Sequence, residues 1–155
     1  MAFSQRVTYS DLKYILSSTI EETETYVLKK GFSYAGVNDY SNATSYEFSK
    51  NSKHSINYMS VSKYVCEDFT FQAYFFSVLQ SDYTALKAYI KSIGYKLKST
   101  ERDGQATIFT YRKGNLDMEF TAAMSSLKEP IYSVVLIDNE LAKKRWSLNK
   151  SSAKD

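Results

Sequence analysis

The segment Tyr26-Val27-Leu28-Lys29-Lys30-Gly31-Phe32 returns as Tyr89-Ile90-Lys91-Ser92-Ile93-Gly94-Tyr95, 63 positions on (94 − 31). A chain that states one unit twice is restricted to folds in which two like units complete a shared core. At the same spacing Ser18 falls on Ser81, Ala43-Thr44 on Ala106-Thr107, Tyr46 on Phe109, Phe48 on Tyr111 and Lys50 on Lys113. Past Asn51 the best match skips three residues and the spacing becomes 60 (116 − 56), which sets Ile56 against Leu116, Tyr58 against Met118 and Phe71 against Ile131.

Each unit reads as a helix followed by strands. Leu12, Ile15, Leu16, Ile20, Thr23 and Val27 recur with a helical period. Ser10-Asp11 offers a cap before them, and Ser17-Ser18 a break, so that the repeated helix starts near Ser18 or Thr19. Gly31 stops it, because glycine tolerates the left-handed conformation past a helix end. In the second unit Ser81-Asp82 is the cap signal, Tyr83, Leu86, Tyr89, Ile90 and Ile93 form the apolar stripe, and Gly94 is the stop. Strand signals in the first unit are Phe32 with Tyr34, Tyr46 with Phe48, the alternation over 56–65, and the nearly continuous apolar run over 69–79, which suits a strand covered on both faces. The second unit offers Tyr95 with Leu97, then 106–113, 116–124 and 131–137, separated by the turn signals Asp103-Gly104 and Gly114-Asn115.

The expected class is α+β. It is a duplicated α-β4 unit, with a curved antiparallel sheet of about eight strands and two helices on one face. Residues 1–142 form a single domain of two repeats, about 10–79 and 81–138. A short helix over 138–146 is expected, with a basic, flexible tail over 143–155.

The chemistry-bearing residues form no known motif. Cys66 is the only cysteine, so neither an intrachain disulfide nor a thiolate metal cluster can form. Its neighbours Glu67 and Asp68 raise a thiol pKa, which reads as a structural cysteine. His54 is the only histidine and lies in a polar turn, where a lone histidine is ordinarily solvated. Glu21, Glu22 and Glu24 point in different directions around one helical turn and read as a wet face. Asp117 and Glu119 share a strand face, the one arrangement here that suits acid–base work. No glycine-rich phosphate loop follows a strand. No catalytic residue, metal or cofactor is therefore assigned. The formal charge of +3 is too small to argue for nucleic acid. No run of about 18 apolar residues occurs, so no transmembrane helix is expected. Ala2 and Ser4, small residues at alternate positions, match the pattern of a signal-peptidase site, and an exported or periplasmic location is expected from them, with the cytoplasm as the alternative.

The order of helix, glycine-aromatic and four strands, carried twice by 26–32 and 89–95, resembles a group of uncharacterised exported bacterial proteins built from tandem α-β4 units. The resemblance spans about residues 10–138 and implies no activity. In outline the topology is also similar to the duplicated saddle of the TATA-binding proteins, in architecture only.

The excess of 14 Tyr and 9 Phe over 1 Trp, with no motif for chemistry, points to a non-catalytic binding or assembly module. The alternatives are an enzyme with an unrecognised carboxylate site and a nucleic-acid-binding saddle. Tyr74, Phe76, Tyr132, Val134 and Leu136 are expected to point away from the helices together, as a surface for a second copy or another protein.

Overall fold

The computed structural model describes residues 6–51 and 58–152. Its helices are α1 (Tyr9–Ser17), α2 (Ile20–Lys29), α3 (Gln80–Ser92) and α4 (Asn139–Ser152). Its strands are β1 (Ser33–Tyr40), β2 (Ala43–Asn51), β3 (Tyr58–Cys66), β4 (Phe69–Val78), β5 (Lys96–Asp103), β6 (Ala106–Lys113), β7 (Leu116–Met124) and β8 (Pro130–Asp138). The class is α+β, with one antiparallel sheet in the order β1-β2-β3-β4-β8-β7-β6-β5. Short connections make each half a meander, because strands joined by tight turns pair with their neighbours in sequence. The halves meet where β4 pairs with β8.

Both halves carry the same local devices. Gly31 (φ 90) and Gly94 (φ 106) sit past the ends of α2 and α3. The next residue closes each helix end: the Phe32 N–H donates to the Val27 carbonyl at 3.1 Å and the Tyr95 N–H to the Ile90 carbonyl at 3.0 Å. Such a closure needs a left-handed residue, which glycine supplies without a Cβ clash. Lys50 Nζ then donates to the Lys30 carbonyl at 3.2 Å, and Lys113 Nζ to the Ile93 carbonyl at 2.6 Å, placing a cation at the negative end of each helix. The edge strands share a register shift, between Tyr34 and Gly36 in β1 and between Leu97 and Ser99 in β5.

The pairing corrects the expected spacing after β2. Phe48 faces Val61 and Tyr111 faces Met118, so the third strands correspond at 57 (118 − 61), not at 60. The first half carries six residues more in that connection (63 − 57). Ile56 and His54 lie outside the described residues.

Among the described residues there are four helices: the two of the repeat, a separate helix before the Ser17-Ser18 break, and the expected C-terminal helix, which runs past 146 to Ser152. α1, α2 and α3 cover one face, and α4 packs on the other. α1 has no counterpart in the second half. It lies over the β4–β8 seam and ties α2 to α3. Its start is capped by Thr8 rather than by Ser10-Asp11, with the Asp11 side chain reaching back to the Thr8 N–H at 2.7 Å. Buried Asp11 also takes the Tyr26 hydroxyl and pairs with Lys30 at 2.8 Å. Burial pushes its carboxyl up, but the bonds from Lys30, Tyr26 and Thr8 outweigh that and hold it below the usual range. At the α3 side the Val7 N–H donates to Asp82 at 3.2 Å, and the Tyr9 and Tyr95 hydroxyls meet at 2.9 Å. Asp82 thus serves the incoming chain, while α3 starts at Gln80 with no side-chain cap. α2 starts as expected, with Thr19 and Glu22 forming a reciprocal cap.

The helix-side core joins Leu12, Ile15 and Val27 with Phe48, Val61, Phe75, Leu86, Ile90, Met118, Phe120, Val134 and Leu136. A buried lysine sits among them. Lys63, 1% exposed, donates to the Ile15 carbonyl at 2.5 Å and the Ser18 carbonyl at 2.6 Å, closing the C-terminal end of α1. Burial pulls its ammonium down to about 8, against the nearby Glu22 carboxylate. The second half has Phe120 at the equivalent position, 57 on (120 − 63), because no helix matching α1 ends there.

Two outcomes follow for stability. Gly31→Ala and Gly94→Ala should each cost about 1 kcal/mol, since a Cβ is strained at these φ values; urea melts that overlay the parent would contradict the shared helix closure. Lys63→Met should cost about 1–3 kcal/mol by leaving the buried Ile15 carbonyl and the part-buried Ser18 carbonyl without this donor. A Lys held below its unfolded value binds its proton less readily when folded, so stability rises with pH between about 8 and the ordinary Lys value of 10.5. Melts of the parent from pH 8 to 10 should show this rise, and Lys63→Met should flatten it; an unchanged slope would place the lysine in contact with water.

Candidate functional site

Strand pairing sets the face away from α1, α2 and α3. One row crosses it through Glu47, Ser62, Tyr74, Val135, Glu119 and Thr110, each paired with the next. This row lies on the line about which the halves correspond, with Tyr74 and Val135 meeting at the seam. The row on one side runs Ser45, Tyr64, Gln72, Ile137, Asp117 and Arg112. The row on the other side includes Ser49, Ser60 and Phe76 in the first half and Ser133, Thr121 and Ile108 in the second.

α4 lies across the first-half end of this face. Leu141, Ala142 and Leu148 pack with Ala43, Cys66 and Phe71. Lys144 Nζ stands 4.7 Å over the Phe69 ring, and the Arg145 guanidinium 4.5 Å over Phe71. Phe71 reaches α4 because the β3–β4 register shifts between Tyr64 and Val65, which turns it away from the side that Ala73 and Phe75 occupy. The apolar run of β4 is therefore covered on both faces at this end. The basic segment expected as a flexible tail is helical through Ser152. Cys66 is buried beneath α4; burial, then Glu67, pushes its thiol up.

Beside α4 the open face holds a groove of about 550 Å³, lined in part by Glu47, Ser49, Ser60, Ser62, Tyr64, Tyr74 and Phe76. The Tyr74 and Phe76 rings lie 6.4 Å apart along one wall. Of the five residues expected on this face, Tyr74 and Phe76 are here. Tyr132, Val134 and Leu136 are not: Val134 and Leu136 are fully buried in the helix-side core, and Tyr132 packs its ring 4.8 Å from that of Tyr83 in α3. The opposite parity of β8 faces outward, with Ser133, Val135 and Ile137. The cause is a single residue. The fourth strands correspond at 61 (135 − 74), not at 60, and a slip of one flips every side chain of a strand.

The second half of the face is charged. Arg112 grips Asp117 with two bonds, at 2.7 and 2.9 Å, and Lys98 lies 3.7 Å from the same carboxylate. Burial would raise Asp117, but the bonds from Arg112 and Asn139 and the nearby charges hold it low. Half-buried Glu119 goes the other way, raised by burial and by the carboxylates of Asp117 and Glu101. Arg112 and Lys98 thus converge on one acid, while the further carboxylates of Glu47, Glu101 and Glu119 share the face with Lys96, paired to Arg112, and with Lys143, Lys144 and Arg145 of α4. Carboxyls with opposed shifts can divide acid and base roles, yet Asp117 is engaged by its own cations. Among the described residues no group of acids, histidines or cysteines is arranged to hold a metal, and no helix is long and apolar enough to cross a membrane. Glu22 is spent on the α2 cap. In comparison with known proteins, no family model matches the chain, and neither a curated protein nor a solved structure does.

A carboxyl-carbon NMR titration should find Asp117 below and Glu119 above the ordinary range. Arg112→Gln should move Asp117 upward, because the charge that stabilises its ionised form is gone. Two carboxyls titrating together in the parent would mean that the Arg112 grip is not held in solution.

Proposed function

We propose that this chain is a non-catalytic binding module, built from a duplicated unit, that receives a macromolecular partner on the helix-free face of its sheet. The observation that carries this reading is the groove along Tyr74. It combines aromatic wall, hydroxyl-bearing floor and a flanking carboxylate on three rigid strands. Sheet residues are held by pairing on both sides, so such a surface is pre-organised, which lowers the entropy lost on docking. The breadth of the face, with side chains from several strands at similar height, suits a protein partner better than a small substrate. The one charged residue that lines the Tyr74 groove among the described residues is Glu47, which disfavours nucleic acid there, since phosphates require Lys and Arg. The grip of Arg112 on Asp117 disfavours the carboxylate-enzyme alternative, since it leaves that acid engaged within the chain.

Tyr74→Glu tests the reading. A docking residue is not needed for the core, so the variant should fold with the parent's circular dichroism and melt within about 2–3 °C of it at high dilution. A variant that fails to fold would make Tyr74 part of the core and remove the docking surface.

A further inference from the structure

We infer that the partner on this face is a second copy of the chain, with α4 of each copy lying in the Tyr74 groove of the other across a two-fold axis. The inference rests on the binding reading above and names its occupant. Its first support is shape. α4 stands as a ridge on the open face, and the groove is a valley beside it on the same face. A surface holding a ridge and a neighbouring valley can meet its own copy ridge into valley under a two-fold rotation, which is the form of an isologous interface.

Charge is the second support. Lys143 and Lys144 are exposed on α4, and Glu140 is the acid of its first turn. The valley carries Glu47 in its lining and, among the described residues, no Lys or Arg. A basic ridge therefore meets an acidic valley twice in the same dimer.

The chemistry of the contact is already present within one chain. On β4 the rings of Phe69 and Phe71 carry Lys144 and Arg145 of the chain's own α4. Tyr74 continues that aromatic series along the strand, and a second basic helix would present the same cations to it. Trp146, 56% exposed on α4, supplies an aromatic anchor of the kind that concentrates binding energy at interfaces. The area suffices. At ~4.8 Å between strands and ~3.3 Å per residue, a face of eight strands spans on the order of 1,000 Å², in which the outer surface of α4 replaces the sheet it covers, against roughly 800 Å² per partner in a stable complex.

The test uses the full chain and paired charge reversals, read by light scattering coupled to size exclusion. The parent should run at twice the chain mass at low salt and shift toward monomer at high salt, where charge pairs are screened. Glu47→Lys and Lys143→Glu should each be monomeric, because each sets like charges against one another in both halves of the dimer. Mixing the two variants should restore a dimer. In that heterodimer one contact joins the two reversed positions, which again carry opposite charges, and the other keeps the native Glu47 with the native Lys143. A chain carrying both reversals should likewise dimerise alone. Circular dichroism confirms that each variant is folded, and Lys143, being exposed, gives a second arm should Glu47→Lys not fold. A monomeric parent, a parent dimer indifferent to both reversals, or a mixture that stays monomeric would each overturn the second copy as occupant. Those outcomes leave the docking face itself in place, which falls if Tyr74→Glu fails to fold.

Discussion

The pairing of β4 with β8 is the interaction on which the rest of the structure depends. Each half is a four-stranded meander with one helix across it, and neither helix alone covers the face beneath. Joining the fourth strands turns two narrow sheets into one broad one and aligns Phe75 with Val134 and Ala73 with Leu136 under the helices. α1 then closes the gap over the seam. It is tied to α2 through Asp11, Tyr26 and Lys30, and to the α3 side through Asp82 and Tyr95. Lys63 reaches up from β3 to the carbonyls at the end of α1, so the added helix is held from below by a cation in place of a capping residue.

The same seam divides the molecule into two faces of different character. The helix side is closed and largely apolar, with Lys63 buried inside it. The other side carries hydroxyls, carboxylates and rings in cross-strand rows, with α4 over one end only. That asymmetry is what gives the open face its relief. Symmetric halves alone would present a symmetric sheet; a single helix following β8 makes one end a ridge and leaves the neighbouring strands as a valley.

Much of this arrangement was legible in the sequence. Gly31 and Gly94 mark helix ends because few other residues tolerate their φ values. Phe32 with Tyr95 and Phe48 with Tyr111 are buried as the repeat implies. Tyr34 and Leu97 share their parity yet are 57% and 56% exposed, since edge strands extend past the helices. The errors came from spacing. Side chains alternate with a period of two, so a mistaken offset of one inverted β8 and sent Val134 and Leu136 to the wrong face. The differences responsible lie before the fourth strands: two residues, 67–68, join β3 to β4 where five, 125–129, join β7 to β8, and the β3–β4 register shift makes Phe71 an extra residue, which leaves no mark in a run of apolar residues. Lys63 was illegible for a different reason: a lysine at a core position makes sense only once the end of α1 is known to lie above it. Glu47 and Glu119 stand far apart in the chain, in different halves. Their place on one row emerges from pairing across five strands, which no local pattern encodes.

The central claim is that a second copy of this chain meets the helix-free face, and no other. An amide NMR dilution series tests it most directly, because it reports every residue at once. The account predicts concentration-dependent shifts at Glu47, Tyr74, Val135 and Glu119 and along α4 at Lys143 and Trp146, with Tyr14, Leu28 and Tyr89 on the helix side unmoved. Shifts confined to the helix side, or a spectrum that does not change on dilution, would contradict it.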